Sequence, residues 1–286
     1  MAAPSSQRTR TTIRTAVVWD YLRDALDRLD RHGSADRIAT ADSASTADSA
    51  GTIDSADTAG AGRSGSHDGR LRVLDAGGGS GGFAVPLAQL GHDVTVVDPS
   101  PDSLAALERR VAEAGVAGGV RALQGDAAGL ADLVPAGAFD LVLCHSVLEV
   151  VDDPPAAVHA IAAALRPGGV ASVLAANRPA AVLARVTAGR LGEARRLLAD
   201  PAGSAGDNDP LTRRFTLDEL QRLLVAGGLR PRTVHGVRVF TDAVPPAVLD
   251  GDPAATDDLL ALERAAAEDA AFLGVATQLH VVADRA

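Results

Sequence analysis

The chain has 286 residues and is 47% hydrophobic, which is enough to bury one sizeable core with a small appended subdomain. Its net charge of −10 argues against a protein that coats nucleic acid, and since all 27 basic residues are arginine, arginine alone is a weak indication of phosphate binding. A single cysteine, Cys144, excludes a disulfide framework and a thiolate metal cluster. The sequence has neither a long apolar run nor a hydrophobic signal core, which predicts a cytoplasmic protein that does not enter membranes.

Two unlike segments come first in the chain. Apolar residues recur at helical spacing over 11–31 and predict an amphipathic helix. Residues 34–69 repeat a short Ala-Asp-Ser unit and contain almost nothing to bury, so we expect a disordered insertion there.

From residue 70 onward, apolar strands alternate with helical patterns. The predicted strands are 72–75, 92–98, 120–123, 139–144, 170–175, 232–240 and 278–282. The predicted helices are 82–90, 101–114, 154–165, 179–198, 216–224 and 254–270. Apolar strands in this order are typical of an α/β fold in which a mostly parallel sheet is covered by helices on both faces. The last two strands suit an antiparallel end of that sheet.

A glycine-rich turn follows the first predicted strand. In LRVLDAGGGSGG (71–82), Asp75 directly precedes a glycine cluster that includes Gly77, Gly78 and Gly79. Glycine permits the unusual dihedral angles of such a turn and lets a ligand lie against the backbone. Both NAD-binding folds and S-adenosylmethionine (SAM)-binding folds use a turn of this kind, and in either of them Asp98, at the end of the second strand, would accept the ribose hydroxyls. The alternative for Asp98 is a helix cap before Pro99.

Further motifs follow in a fixed order and favour one of these classes. They are IRTAVVW (13–19), VLDAGGGSG (73–81), HSVLEVVDDP (145–154), LRPGG (165–169) and GVRVFTD (236–242). The set resembles class I SAM-dependent methyltransferases and, among them, the tRNA 5-carboxymethoxyuridine methyltransferase family. LRPGG is a structural signature, since proline stops a helix and the glycines turn the chain.

The resemblance implies a Rossmann-like sheet of seven strands and a division of the chain into three parts. Residues 1–33 would form a tail and a helix covering the cofactor site, 34–69 the insertion, and 70–286 the methyltransferase domain, with a helical substrate-side insertion at 178–226. The implied reaction is transfer of the methyl group of SAM to the carboxylate of a modified wobble uridine in tRNA.

The resemblance also implies the residues that hold SAM. Arg14 in the first motif matches a SAM-binding arginine, and an acid at the position of Asp126 accepts the adenine amino group. The expected cofactor-binding residues are Arg14, Asp75, Gly77, Gly78, Gly79, Asp98, Asp126, Ala127, Ala128 and His145. No cluster with metal-ligand spacing accompanies them, so we expect no metal.

Arg238 is the candidate for holding the methyl acceptor. A carboxylate is already ionised at neutral pH and needs no strong base, and a guanidinium can hold it through two parallel hydrogen bonds. Because Arg238 lies between valines, it requires either an internal acid or an anionic substrate. The excess of arginine over 178–238 could contact tRNA phosphates or could be a solvated face.

The sequence departs from that family at three positions. Thr241, Thr277 and Gln278 stand where the family has histidine, arginine and tyrosine. Aromatic residues make up only 2% of the chain, which leaves few platforms for base stacking. A small-molecule O- or N-methyltransferase is therefore the first alternative. The second is an NAD-dependent oxidoreductase or a silent nucleotide-binding module, against which LRPGG and the glycine spacing count.

Overall fold

The protein is described by a computed structural model over residues 5–45 and 69–286, and its centre is one seven-stranded sheet. The strands are β1 (Arg72–Ala76), β2 (Asp93–Asp98), β3 (Val120–Gln124), β4 (Phe139–His145), β5 (Leu165–Ala176), β6 (Leu229–Val237) and β7 (Gln278–Arg285). Their order across the sheet is β3-β2-β1-β4-β5-β7-β6, and β7 runs antiparallel to both of its neighbours. The predicted α/β fold with a mostly parallel sheet is confirmed.

Eleven helices accompany the sheet in the described residues. They are α1 (Ser5–Ser45), α2 (Ala84–Gln89), α3 (Pro101–Glu113), α4 (Leu130–Leu133), α5 (Pro154–Ala164), α6 (Arg178–Thr187), α7 (Leu191–Ala199), α8 (Leu217–Ala226), α9 (Pro246–Gly251), α10 (Pro253–Ala266) and α11 (Ala270–Leu273). Within this part of the chain no helix combines the length and apolarity that crossing a membrane requires.

Helices cover both faces of the sheet, as its two apolar faces require. One face carries α4, α5 and α8, with Ile161 and Leu224 buried in its core. The other face carries α1, α2 and α3, where Val18 and Leu22 of α1 pack in one cluster with Leu143 of β4. The first helix is therefore part of the folded core. At the start of α8, Thr216 and Glu219 form a reciprocal capping box.

The predicted boundary at residue 34 is wrong, because α1 continues to Ser45. The segment from residue 34 to residue 45 contains four alanines and neither glycine nor proline, so its intrinsic preference favours continuing the helix. The rest of the predicted insertion, residues 46–68, lies outside the described residues.

Three other predictions differ from the structure for local reasons. The predicted helix 179–198 is two helices, α6 and α7, and the chain between them passes through Gly189, whose φ is +73°. The glycines of LRPGG form an irregularity within β5 rather than a turn before it, because Leu165 already pairs with Phe139. Strand β6 ends at Val237, before the predicted residue 240, because Arg238 takes a left-handed conformation with φ of +58°.

Candidate functional site

The glycine-rich turn lies where β1 ends, beside the ends of the parallel strands β2 and β4. Gly77 and Gly79 have φ of +76° and +54°, which other residues rarely adopt. A Cβ atom on Gly77 would collide with the side chain of Val147, and one on Gly78 would lie 2.5 Å from Asp75 Oδ2. The turn therefore requires glycine for its dihedral angles and for close packing against its neighbours.

A cavity of about 390 Å³ opens at this edge of the sheet, which is where open α/β sheets bind ligands. Its wall contains five of the predicted cofactor residues: Gly77, Asp98, Asp126, Ala127 and Ala128. The remaining wall comes from Pro99 and from residues that sequence reasoning did not assign to the site: Ser146, Val147, Val150, Val151, Asp152 and Asp153. Their position directly after β4 could have indicated this role, because ligands bind at the carboxyl ends of parallel strands.

Backbone N–H groups fix the orientation of the two predicted acids in the cavity wall. Asp98 accepts hydrogen bonds from Gly79 N at 2.9 Å and from Ser100 N at 2.9 Å. Asp126 accepts one from Gly129 N at 2.7 Å. Each carboxylate oxygen can accept more than one hydrogen bond, so both acids can still bind ligand hydroxyl or amino groups.

Asp75 lies beneath the turn and is 3% exposed. Among the described residues its Oδ2 atom has no hydrogen-bond partner. Burial, together with the nearby charge of Asp98, raises the pKa of Asp75 to about 7. A positively charged ligand group above the turn would favour the ionised form of this carboxyl.

Arg14 reaches the cavity edge from α1. Its Nε donates to Gln278 Oε1 at 2.7 Å and its Nη2 to Ser146 Oγ at 3.2 Å. Gln278 Nε2 in turn donates to Ser146 Oγ at 3.0 Å. The three side chains form a closed triangle, hereafter the Arg14 triangle. The pKa of Arg14 is lowered by burial and by the charge of Arg238, an effect that Glu149 partly opposes.

His145 is held from below by a buried polar chain. Its Nε2 lies 2.8 Å from Ser172 Oγ, which lies 2.7 Å from Nε2 of His280. Burial, with a smaller contribution from Arg14, lowers the pKa of His145 to about 3, and burial likewise lowers that of His280. His145 is therefore neutral at physiological pH and can donate or accept a hydrogen bond but supplies no positive charge.

Arg238, the predicted acceptor-binding residue, is not part of the cavity wall, and its partner is internal. Its Nη2 donates to Asp242, whose other carboxylate oxygen accepts from Thr277 Oγ1 at 2.7 Å. The sequence left two partners open for Arg238, an internal acid or an anionic substrate, and the structure shows the internal acid Asp242.

The loop that presents Arg238 is fixed by a buried acid. Glu263 accepts hydrogen bonds from the backbone N–H groups of Val239, Phe240 and Thr241 and from the Thr241 hydroxyl. Thr241 is thereby fully buried, so it is not placed to contact a substrate. The three departures from the family thus have different positions: Thr241 is in the core, Thr277 bonds Asp242, and Gln278 belongs to the Arg14 triangle.

Residues 74–173 match a protein-family model described as a methyltransferase domain. Among curated proteins, the chain is 34% identical over 120 residues to the tRNA 5-carboxymethoxyuridine methyltransferase of Escherichia coli K12, an alignment covering 42% of this chain and 46% of that protein. It is 39% identical over 113 residues to the ubiquinone biosynthesis O-methyltransferase of Methylocella silvestris, covering 38% and 41%. The chain thus spans less than half the length of these relatives.

Solved structures show the same fold at low identity. A SAM-dependent methyltransferase of Methanosarcina mazei superposes with a TM-score of 0.53 at 18% identity, covering 76% of this chain and 92% of that one. The [4+2]-cyclase SpnF gives a TM-score of 0.50 at 21% identity, covering 76% and 74%. The domain match, the sheet order with an antiparallel β7 and the superpositions lead to one conclusion: residues 74–173 match a methyltransferase domain, and the sheet has the fold of solved SAM-dependent methyltransferases.

Proposed function

We propose that the protein binds SAM and transfers its methyl group to an oxygen acceptor, the carboxylate of a 5-carboxymethoxyuridine in the tRNA wobble position. The observation that carries the SAM part is the cavity, which joins the glycine turn to Asp98 and to the 126–128 segment. The acceptor part rests on the sequence motifs and on the curated tRNA-modifying relative.

The residues present fit the cofactor. Asp98 would accept the ribose hydroxyls, Asp126 the adenine amino group, and the backbone N–H of Ala127 would face the ring. The glycine turn presents backbone without side chains to the methionine part, and a Cβ at Gly77 or Gly78 would displace Val147 or Asp75, which border the turn. When bound, SAM supplies an electrophilic methyl group on a sulfonium.

The electrostatics of the site favour an acceptor that is already ionised. A phenol or an alcohol has to lose a proton as it is methylated, which calls for a base with a pKa near neutrality. His145, which directly precedes Ser146 of the cavity wall, has its pKa lowered to about 3 and is a poor base. The two carboxyls whose pKa is raised to about 7, Asp75 and Glu149, are almost fully buried, at 3% and 1% exposure. A carboxylate needs only orientation and a cation, and Arg238 is close enough to Arg14 for its charge to lower the Arg14 pKa.

The test is a transfer assay with labelled SAM and bulk tRNA from cells that lack this protein. We expect label in an alkali-labile uridine ester with the wild type, and its loss in Arg238→Ala while binding of S-adenosylhomocysteine persists. Binding of S-adenosylhomocysteine without label in any tRNA would exclude the tRNA acceptor. Absence of any binding would exclude the SAM site itself.

A small-molecule O- or N-methyltransferase is the second candidate, and the ion pairs of the basic segment favour it. Eight of the eleven arginines in 178–238 pair with acids within the described structure. This pairing reduces the charge available for phosphates. The same assay with a small-molecule extract in place of tRNA separates the two candidates: label in a small product, with none in tRNA, assigns the second.

A further inference from the structure

We propose that Gln278 and Ser146 are positioning residues that hold the Arg14 guanidinium for the carboxylate of the bound cofactor. The inference rests on the proposed function, because it takes the ligand of the cavity to be SAM. It assigns a role to Gln278, at a position where this chain departs from the family that its motifs resemble.

The triangle brings together three parts of the chain that are distant in sequence. Arg14 comes from α1, Ser146 follows β4, and Gln278 begins β7. Gln278 is only 8% exposed, so its amide is fixed between its two partners rather than solvated. Its carbonyl oxygen accepts from Arg14 and its amino group donates to Ser146, and both ends of the amide are thus used.

The hydrogen bonds of the triangle leave one edge of the Arg14 guanidinium for a ligand. Nε and Nη2 are occupied, whereas Nη1 has no hydrogen-bond partner among the described residues. Ser146, which Nη2 contacts, is itself part of the cavity wall. The guanidinium therefore lies at the cavity edge with donors remaining, and SAM carries a single carboxylate for them to meet.

Ser146 shows that the backbone is also shaped for this arrangement. It is one of two non-glycine residues with positive φ in the described structure, at +59°, and the other is Arg238. Strained backbone of this kind persists where the surroundings hold it and is concentrated at ligand sites. Here the strain places the Ser146 hydroxyl between Arg14 and Gln278.

A simpler explanation is that the triangle only fastens α1 to the sheet. The two explanations predict different effects on the affinity for a ligand that lacks the carboxylate. S-Adenosylhomocysteine carries the amino-acid group, and 5′-deoxy-5′-methylthioadenosine carries the same nucleoside without it. A positioning role affects binding of the first ligand alone, whereas loosening of α1 affects folding or both ligands.

The experiment is calorimetric titration of both ligands into the full chain. The variants are Gln278→Leu, Ser146→Ala, Arg14→Ala and the double variant Gln278→Leu/Arg14→Ala, with the exposed Gln89→Leu as matched control. We expect Gln278→Leu to weaken S-adenosylhomocysteine binding about tenfold and methylthioadenosine binding less than about twofold. Gln278→Glu keeps the acceptor for Nε and should restore most of the affinity. The double variant should lose no more than Arg14→Ala alone, because Gln278 acts through Arg14.

Equal weakening of both ligands by Gln278→Leu, or additive losses in the double variant, would overturn the proposal. Thermal unfolding of each variant identifies a folding defect, in which case Gln278→Glu and Ser146→Ala carry the test. If the wild type binds neither ligand, it is the proposed function that fails, and that result is distinct from failure of the positioning role.

Discussion

Arg238 donates a hydrogen bond to Asp242 within the loop that follows β6, so the cation proposed to receive the acceptor already has an anion beside it. Both side chains are about one-third exposed, at 30% and 33%, and the pair is accessible to a ligand from the solvent side. An incoming carboxylate would have to compete with Asp242 for the guanidinium.

This competition predicts opposite effects for the two partners. If the acceptor is a carboxylate, Asp242→Asn should lower its KM a few-fold, because Arg238 loses its competing anion, and Arg238→Ala should lower kcat/KM by about 100-fold. S-Adenosylhomocysteine affinity should change little in both variants. Steady-state kinetics with the unmethylated acceptor measure both effects: a raised KM in Asp242→Asn would show that Asp242 itself binds a donor on the acceptor.

Asp75 predicts a pH dependence of cofactor binding. Its pKa is raised to about 7, mainly by burial, so at pH 6 the carboxyl is mostly protonated and at pH 8 mostly ionised. SAM is positively charged at its ammonium and sulfonium groups, so its binding should tighten as pH rises from 6 to 8, by at most about tenfold per unit for a single proton. Calorimetry in buffers of different ionisation enthalpy would detect the released proton. Asp75→Asn should abolish the slope, and Glu149→Gln should retain it.

Glu149 predicts a pH dependence of stability. It is 1% exposed, its Oε1 accepts from Ala176 N at 2.7 Å, and its Oε2 is without a partner among the described residues. Burial raises its pKa from 4.5 to about 7. The folded state therefore holds this proton more tightly than the unfolded chain, and stability is lost as pH rises from about 4.5 to about 7.

Replacing this carboxyl should remove that loss. Glu149→Gln keeps the acceptor for Ala176 and should raise the free energy of unfolding at pH 8 by up to about 3 kcal/mol, with little change at pH 4.5. Urea denaturation at the two pH values measures the difference, with the exposed Glu108→Gln as control. Equal effects of Glu149→Gln at both pH values would contradict the titration.

The glycine turn predicts a contrast between neighbouring positions. Gly77→Ala and Gly78→Ala should each lower the free energy of unfolding by about 1–3 kcal/mol and weaken cofactor binding, because the new Cβ collides with Val147 or Asp75. Gly82 has open space around it and no positive φ, so Gly82→Ala should stay within about 0.5 kcal/mol of the wild type. Denaturation of the three variants, with titration of S-adenosylhomocysteine, checks both effects.

Local patterns predicted most of the framework. The apolar strands and the glycine turn predicted the sheet and the edge where the cavity lies. The spacing of apolar residues and the glycines that a tight turn requires can both be recognised within a few residues. The internal partner of Arg238 lies only four positions away, at Asp242. Contacts between distant segments were not predictable: nothing local to Arg14 indicates Gln278, and nothing local to His145 indicates Ser172 and His280. Such pairs depend on the strand order and on which face each side chain takes.

The contact between Arg14 and Gln278 joins residues that are 264 positions apart, and it has a consequence for how the protein is made. During synthesis, α1 leaves the ribosome long before β7 exists, so its apolar face has to wait for most of its sheet partners. The Arg14 triangle at the cavity edge can therefore form only after nearly all of the described chain has been synthesised. A chain that stops short of β7 would lack the Gln278 amide that holds Arg14. Under the proposed role of Gln278, tight binding of the cofactor would therefore indicate that translation had continued through β7.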